Sequence, residues 1–243
     1  MSQIDLTAKI RALRWVLPFG CLAMGCGLIS SDVATISFDL PPKHYVFDTG
    51  TLNLPAGTLP SVPCTPGSDT CCALAGLAGY DCTKNPPLTC DDASSTCAIS
   101  VTTETPPQTI DLHKEVPQLS SINSQSLANI SISQIAYNVV SSLNADLPPV
   151  ELFLAPADAA DTSDPRAHKF GTLPVIPANA SVTGGKVTLE ADAESTFSGY
   201  ARNFGTPFRF LSRTKITVAG GSSTPTGAVD ITITGRIKAK PNL

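Results

Sequence analysis

The 243-residue chain carries 16 Lys+Arg against 20 Asp+Glu, a formal net charge of −4, and only 15% charged residues. That balance favours solubility and excludes wholesale nucleic-acid binding. Sparse charge with 21 prolines, 17 glycines and abundant Ser and Thr reads as a β-rich exported protein, long enough for one full-sized domain and a small satellite.

Three positive charges, Lys9, Arg11 and Arg14, precede the apolar run Trp15–Met24. A run of about ten residues has the size of a secretory h-region and falls well short of the roughly 20 that a membrane-spanning helix needs. It predicts export. Leu22-Ala23-Met24-Gly25-Cys26, in which Gly25 precedes the cysteine and Leu22 stands four places before it, resembles the lipobox of bacterial lipoproteins. The resemblance covers the sorting signal alone. It implies a signal peptide over residues 1–25, a diacylglycerol on the Cys26 sulfur and residence in a bacterial cell envelope. Gly27 stands where an aspartate would resemble the inner-membrane retention signal, so the expected destination is the outer membrane of a Gram-negative cell. Simple secretion with cleavage after Gly25 and a retained N-terminal helix are the alternatives. Processing before Cys26 removes Lys9, Arg11, Arg14 and Asp5, leaving 13 basic and 19 acidic residues, a net charge of −6.

Residues 26–48 read as a lipidated tether and an N-terminal strand. Ala34, Ile36, Phe38 and Leu40 alternate with Thr35, Ser37 and Asp39, the period of a half-buried strand. Pro41-Pro42 is expected to end it, and His44–Phe47 to form a second short extended piece. A lone strand buries little, so it is expected to pair into the C-terminal sheet. The next segment, 49–98, holds Cys64, Cys71, Cys72, Cys82, Cys90 and Cys97 in the spacing C-x6-C-C-x9-C-x7-C-x6-C. An even number of cysteines crowded among Pro, Gly, Asp and Thr predicts a disulfide framework in a segment too small to bury a core of its own. Thiolate zinc sites use closer C-x2-4-C pairs, often with histidine, and no histidine falls in this window. Excluding a bond between neighbours Cys71 and Cys72 leaves about 12 pairings, of which the knot-like order Cys64–Cys82, Cys71–Cys90, Cys72–Cys97 is one.

Residues 99–243 read as the main domain. Ile99/Val101/Thr103, Ile110/Leu112, Ile130/Ile132, Val150/Leu152/Leu154, Leu173/Val175 and Val187/Leu189 alternate with polar residues, and Ile135/Tyr137/Val139 continue one run out of phase, which predicts a β-bulge near Ser133-Gln134. The fold class is therefore all-β: an antiparallel β-sandwich or open barrel with one short helix and a small disulfide-rich insertion. The helix is expected over Asp192–Phe204, where Phe197, Tyr200, Ala201 and Phe204 recur at helical spacing as a core-facing stripe, with Gly205 as the stop. Phe208–Val218 and Val229–Ile237 are expected to pair as a hairpin. That pairing would gather Arg209, Arg213, Arg236, Lys238 and Lys240 into one basic patch suited to anionic lipid or another envelope protein.

Catalytic constellations do not assemble. His44, His113 and His168 lie on separate segments, and no G-x-S-x-G, H-E-x-x-H or G-x-x-x-x-G-K motif occurs. Asp158, Asp161, Asp164 and His168 offer metal-ligating atoms, but their spacing is not that of a calcium loop, and a polar connection is the expected role. The functional expectation is a lipid-anchored binding or structural module of the envelope, not an enzyme, with no cofactor and no nucleic-acid partner. A subunit of a larger envelope complex, docking through the hairpin or a sheet edge, is the alternative; a hydrolase ranks below both.

Overall fold

The computed structural model describes residues 35–65, 70–77, 79–91, 94–120 and 127–241. The expected signal segment, Cys21, Cys26 and the tether through residue 34 lie outside the described residues. In chain order the elements are β1 (Ile36–Asp48), α1 (Cys71–Leu77), β2 (Leu88–Asp91), β3 (Thr96–Glu104), β4 (Gln108–Ile110), α2 (Leu112–Glu115) and α3 (Pro117–Ser120). There follow β5 (Leu127–Ser141), β6 (Val150–Pro156), β7 (His168–Leu173), β8 (Ser181–Lys186), β9 (Thr188–Leu189), α4 (Ala193–Ala201), β10 (Phe208–Val218) and β11 (Ala228–Pro241). They form two open antiparallel sheets. The smaller has the order β1-β11-β5-β8, and the larger β2-β3-β10-β6-β7-β9, with β4 also pairing β10.

The inward residues of both sheets belong to one core, in which Phe38, Tyr45, Phe47, Ile99, Leu152, Phe170, Phe208 and Ile231 are all buried. β1 is the edge strand of the smaller sheet and pairs with β11 along its length. Pro41-Pro42 does not end it. Leu40 pairs with Gly235 and Lys43 with Ile233, so two prolines oppose one residue and form a bulge. An edge tolerates this because proline has no N–H to leave unpaired. The bulge also moves the buried phase from Phe38 and Leu40 to Tyr45 and Phe47. In β5, Ile132 pairs with Ile237 and Gln134 with Arg236, which leaves Ser133 as the extra residue at the expected bulge.

α4 covers one end of the sandwich with Phe197, Ala201 and, just beyond it, Phe204. Phe197 meets Phe208 edge-on at 5.9 Å, and Phe170 meets Phe210 at 5.4 Å. The helix stops at Ala201, before the expected Gly205. Two smaller expectations also change. Leu112 opens α2 instead of continuing a strand, because the Asp111 carboxylate accepts from the Lys114 amide and caps a helical turn. The chain leaves the sheet after Leu173, so Ile176, not Val175, is the buried residue.

The expected hairpin is not formed. β10 lies in the larger sheet between β3/β4 and β6, while β11 lies in the smaller one between β1 and β5, so both edges of each are already occupied. Residues 219–227 carry the chain from one layer to the other. This crossing is pinned on the 55–59 segment by Leu59 N to Ser222 O, Gly221 N to Leu59 O and Thr224 Oγ1 to Pro55 O. Its last residue, Gly227, has φ +118 and lies so close to the Ser142 carbonyl that a Cβ would collide with it. Only glycine suits both conditions.

The cysteines pair as Cys64–Cys90, Cys71–Cys97 and Cys72–Cys82. This is not the knot-like order. Cys90 and Cys97 face each other across the β2–β3 pair but do not bond: Cys90 takes Cys64, next to the Pro63–Thr96 bridge, and Cys97 takes Cys71 at the start of α1. Cys71, Ala75, Tyr80 and Cys97 join the common core, and β3 runs across the 98/99 boundary. The cystine lobe sits at the end of the sandwich where β10 finishes and β11 starts, as the Val218–Ile99 pairing and the Leu59–Ser222 contact place it. β1 begins at the opposite end, where Ile36 pairs with Ala239.

Candidate functional site: a charged groove on the larger sheet

β6 buries Val150, Leu152 and Leu154 inward, and the same alternation turns Glu151, Phe153 and Ala155 outward. Register then places four residues in one row across the outer face. Glu104 pairs with Arg213, Arg213 with Glu151, and Glu151 with Thr172. Opposite charges on adjacent strands are the arrangement that cross-strand pairing favours. Around the row, Thr102, Pro148, Pro149, Lys169, Thr214 and Lys215 complete the lining of a groove of about 490 Å³.

Arg213 donates through Nε and Nη2 to Glu151 Oε2, at 3.1 and 2.7 Å, and through Nη1 to Thr162 Oγ1 at 3.4 Å. Its guanidinium lies 4.9 Å from the Phe153 ring centre, a cation–π contact. Lys169 Nζ reaches Glu151 Oε1 at 3.2 Å and Glu190 Oε1 at 3.0 Å. Both Glu151 oxygens are thus engaged by cations. Partial burial pushes its carboxyl pKa up, but hydrogen bonds from Arg213 and Lys169 outweigh this and hold it below the ordinary glutamate range. Lys169 is shifted upward, first by its bond to Glu190. Lys215 is exposed and has no ion-pair partner among the described residues.

The 157–167 connection folds over the lower end of this face. Phe153, Ala155, Ala159 and Leu211, with Ala167 against them, make a small second apolar cluster beneath it. Thr162 donates from N and Oγ1 to the Glu104 carboxylate, Arg209 Nη1 donates to the Ala159 carbonyl, and Tyr200 OH donates to the Arg166 carbonyl. Asp158 and Asp164 both pair with Arg166, and the hydrogen bonds from Arg166 lower the Asp164 pKa to about 2. Asp161 accepts from Ser163. His168 starts β7 on the exposed side and is not gathered with the three aspartates. Of the four residues named as possible metal ligands, the three aspartates therefore belong to a self-paired loop that buttresses the groove, and His168 stands apart on β7. The closest grouping of ligand-type side chains among the described residues, Cys64, Cys71 and Cys90, is engaged in disulfides.

The five basic residues expected to form one patch divide between the sheets. Arg209 and Arg213 hold the groove and its loop, whereas Arg236, Lys238 and Lys240 lie on β11 in the other layer, with Arg236 Nε 2.8 Å from Asp39 Oδ1. Of the histidines, His44 Nδ1 is 3.0 Å from Thr232 Oγ1, and His113 stacks on Phe204. His168 borders a depression of about 360 Å³ with Ser195, Thr196 and Tyr200, but no carboxylate lines it, and Ser195 Oγ donates to the Asp192 carbonyl. Sequence reasoning missed Glu151, Lys169 and Glu190. The alternation of β6 did turn Glu151 outward, yet nothing local paired it with Arg213, which is 62 residues away. No family model matches the chain, and none of the curated proteins matches it.

Proposed function

We propose that this protein is an exported envelope component, fastened to a bacterial membrane through lipid on Cys26, whose sandwich binds a ligand or partner and does no chemistry on it. The observation that carries the reading is the set of three disulfides, two of whose sulfurs belong to Cys71 and Cys97 at 0% exposure in the common core. A fold whose core contains cystine needs an oxidising compartment to form it. The run Trp15–Met24 and the Leu22–Cys26 motif supply the means of reaching one, with the outer membrane as the expected site. Lipid provides firm attachment when more than one acyl chain is present.

The groove supports binding over catalysis. A general acid or base works best with a pKa near the working pH, whereas Glu151 is held ionised by two cations. Its charges of both signs, threonines and prolines suit a polar or zwitterionic ligand lying along the strands. A second reading, a subunit of a larger assembly, keeps the sheet-edge route, through an outer strand such as the 13-residue β1. Co-purification with other envelope proteins after mild detergent extraction is expected on that reading, and a lone monomer on size exclusion refutes it.

The deciding experiment is the intact mass of the native protein extracted from membranes, with and without reduction. Cleavage before Cys26, added acyl mass and a gain of about six hydrogens on reduction, two per disulfide, are expected. An unprocessed chain with free thiols, recovered from cytosol, overturns the proposal.

A further inference from the structure

We infer that the end of the smaller sheet farthest from the cystine lobe is a membrane-facing surface whose lysines meet anionic lipid headgroups and stand the domain upright. This rests on the anchored reading above.

The outward side chains of β11 run, from the cystine end downward, Asp230, Thr232, Thr234, Arg236, Lys238 and Lys240. Charge changes sign along the strand. At the upper end Asp230 lies in register between Val46 and Val140, and Asp48 closes β1. At the lower end Lys238 stands between Ser37 and Ser131, and Lys240 is in register with Ala128. Neither lysine has a carboxylate partner among the described residues, in contrast to Arg236, which Asp39 neutralises. Arg202, exposed and likewise unpaired there, joins the same corner, because its carbonyl accepts from the Leu127 amide at the start of β5.

Covalent reach selects this end. Cys26 is ten residues from Ile36. A fully extended chain gains at most ~3.5 Å per residue, so the anchor lies within about 35 Å of the start of β1. The 13 residues of β1 then carry the fold upward. At ~3.3 Å each, they put the cystine end about 40 Å farther from the tether. Each lysine close to an anionic surface strengthens attachment roughly fivefold. Two or three such contacts cannot hold a chain of net charge −6 at a like-charged surface alone. Once the lipid supplies proximity, they decide which end faces down, leaving the cystine lobe and the groove outward.

The test couples the mature chain through the Cys26 thiol to a maleimide lipid, so that it does not depend on native lipidation. The coupled protein sits on vesicles of phosphatidylcholine alone or mixed with phosphatidylglycerol. Amine acetylation read by mass spectrometry then compares Lys238 and Lys240 with Lys84, an exposed lysine of the cystine lobe. On anionic vesicles, labelling of Lys238 and Lys240 should slow about fivefold and recover in salt, while that of Lys84 stays constant. Equal labelling on both vesicle types refutes the inference. So does protection of Lys84, or protection that appears only when envelope proteins are added, which would assign the surface to a protein partner. Absence of acyl mass on the native protein would refute the anchor reading and leave this measurement intact.

Discussion

Cys64–Cys90 and Cys71–Cys97 each close a separation of 26 residues, which makes the pair an internal control for what a cystine contributes inside a core. In the chain-entropy treatment, a loop of that length removes about 3.5 kcal/mol of unfolded-state freedom at 25 °C, and the two overlapping bridges lose nearly the same amount when either is deleted. Replacing Cys64 and Cys90 by alanine should therefore cost about 3.5 kcal/mol, since both positions are only partly buried. Replacing Cys71 and Cys97 removes the same constraint and also deletes two sulfurs from positions at 0% exposure. Each deleted core atom adds about 1 kcal/mol of lost packing and cavity, so C71A/C97A should be destabilised by about 5 to 6 kcal/mol, about 2 more than C64A/C90A. Guanidinium unfolding of the three non-reduced proteins measures the difference directly, and thermal midpoints should separate by roughly 4–8 °C. Equal destabilisation of the two variants would refute the placement of the Cys71–Cys97 bridge in the common core.

Glu151 supplies a pH prediction. Because its folded pKa lies below the ordinary value of 4.5, its stabilising contribution is complete above that value and is lost as pH falls through the folded pKa. The wild type should lose more stability than E151Q between pH 7 and about pH 3, with the divergence confined to the acid side of 4.5, in urea unfolding at a series of pH values. Parallel curves would remove the two-cation environment from the argument. Phe197→Ala should cost about 3–5 kcal/mol, since the ring is fully buried and packs on Phe170 and Phe208; a loss under 1 kcal/mol would deny α4 its role as the cover of the core.

Patterns that depend on a residue's near neighbours in the chain were legible in the sequence. The phase slip between Ile132 and Ile135 located the bulge at Ser133, because a one-residue insertion flips the side chains of every later position. The stripe Phe197, Tyr200, Ala201, Phe204 located the covering helix, because burial on one helical face imposes its period, although Tyr200 is only partly buried at its margin. Crowded cysteines in a polar segment announced disulfides. The even-numbered face of β1 was read as far as Leu40, but Pro41-Pro42 passed for a stop because the sequence does not reveal that β1 is an edge strand, where a missing N–H costs nothing.

Pairings across long separations were decided only by the tertiary structure. Nine residues between β10 and β11 permit a hairpin as readily as a crossing between layers. The crossing wins because β3, β4 and β6 occupy both edges of β10, and β1 and β5 occupy both edges of β11. The same competition sent Arg213 to Glu151 and Arg236 to Asp39, dividing an expected patch into a groove on one sheet and a basic corner on the other. Cystine connectivity was likewise tertiary: Cys90 and Cys97 stand opposite each other on β2 and β3, yet each bonds a cysteine 26 residues earlier in the chain. Local pattern determined most of the strands and their apolar faces, failing where a cap, a bulge or an edge intervened, as at Leu112 and Pro41-Pro42. Which strands meet was decided by how the two sheets could close around one core, a condition on all the strands at once that no single segment contains.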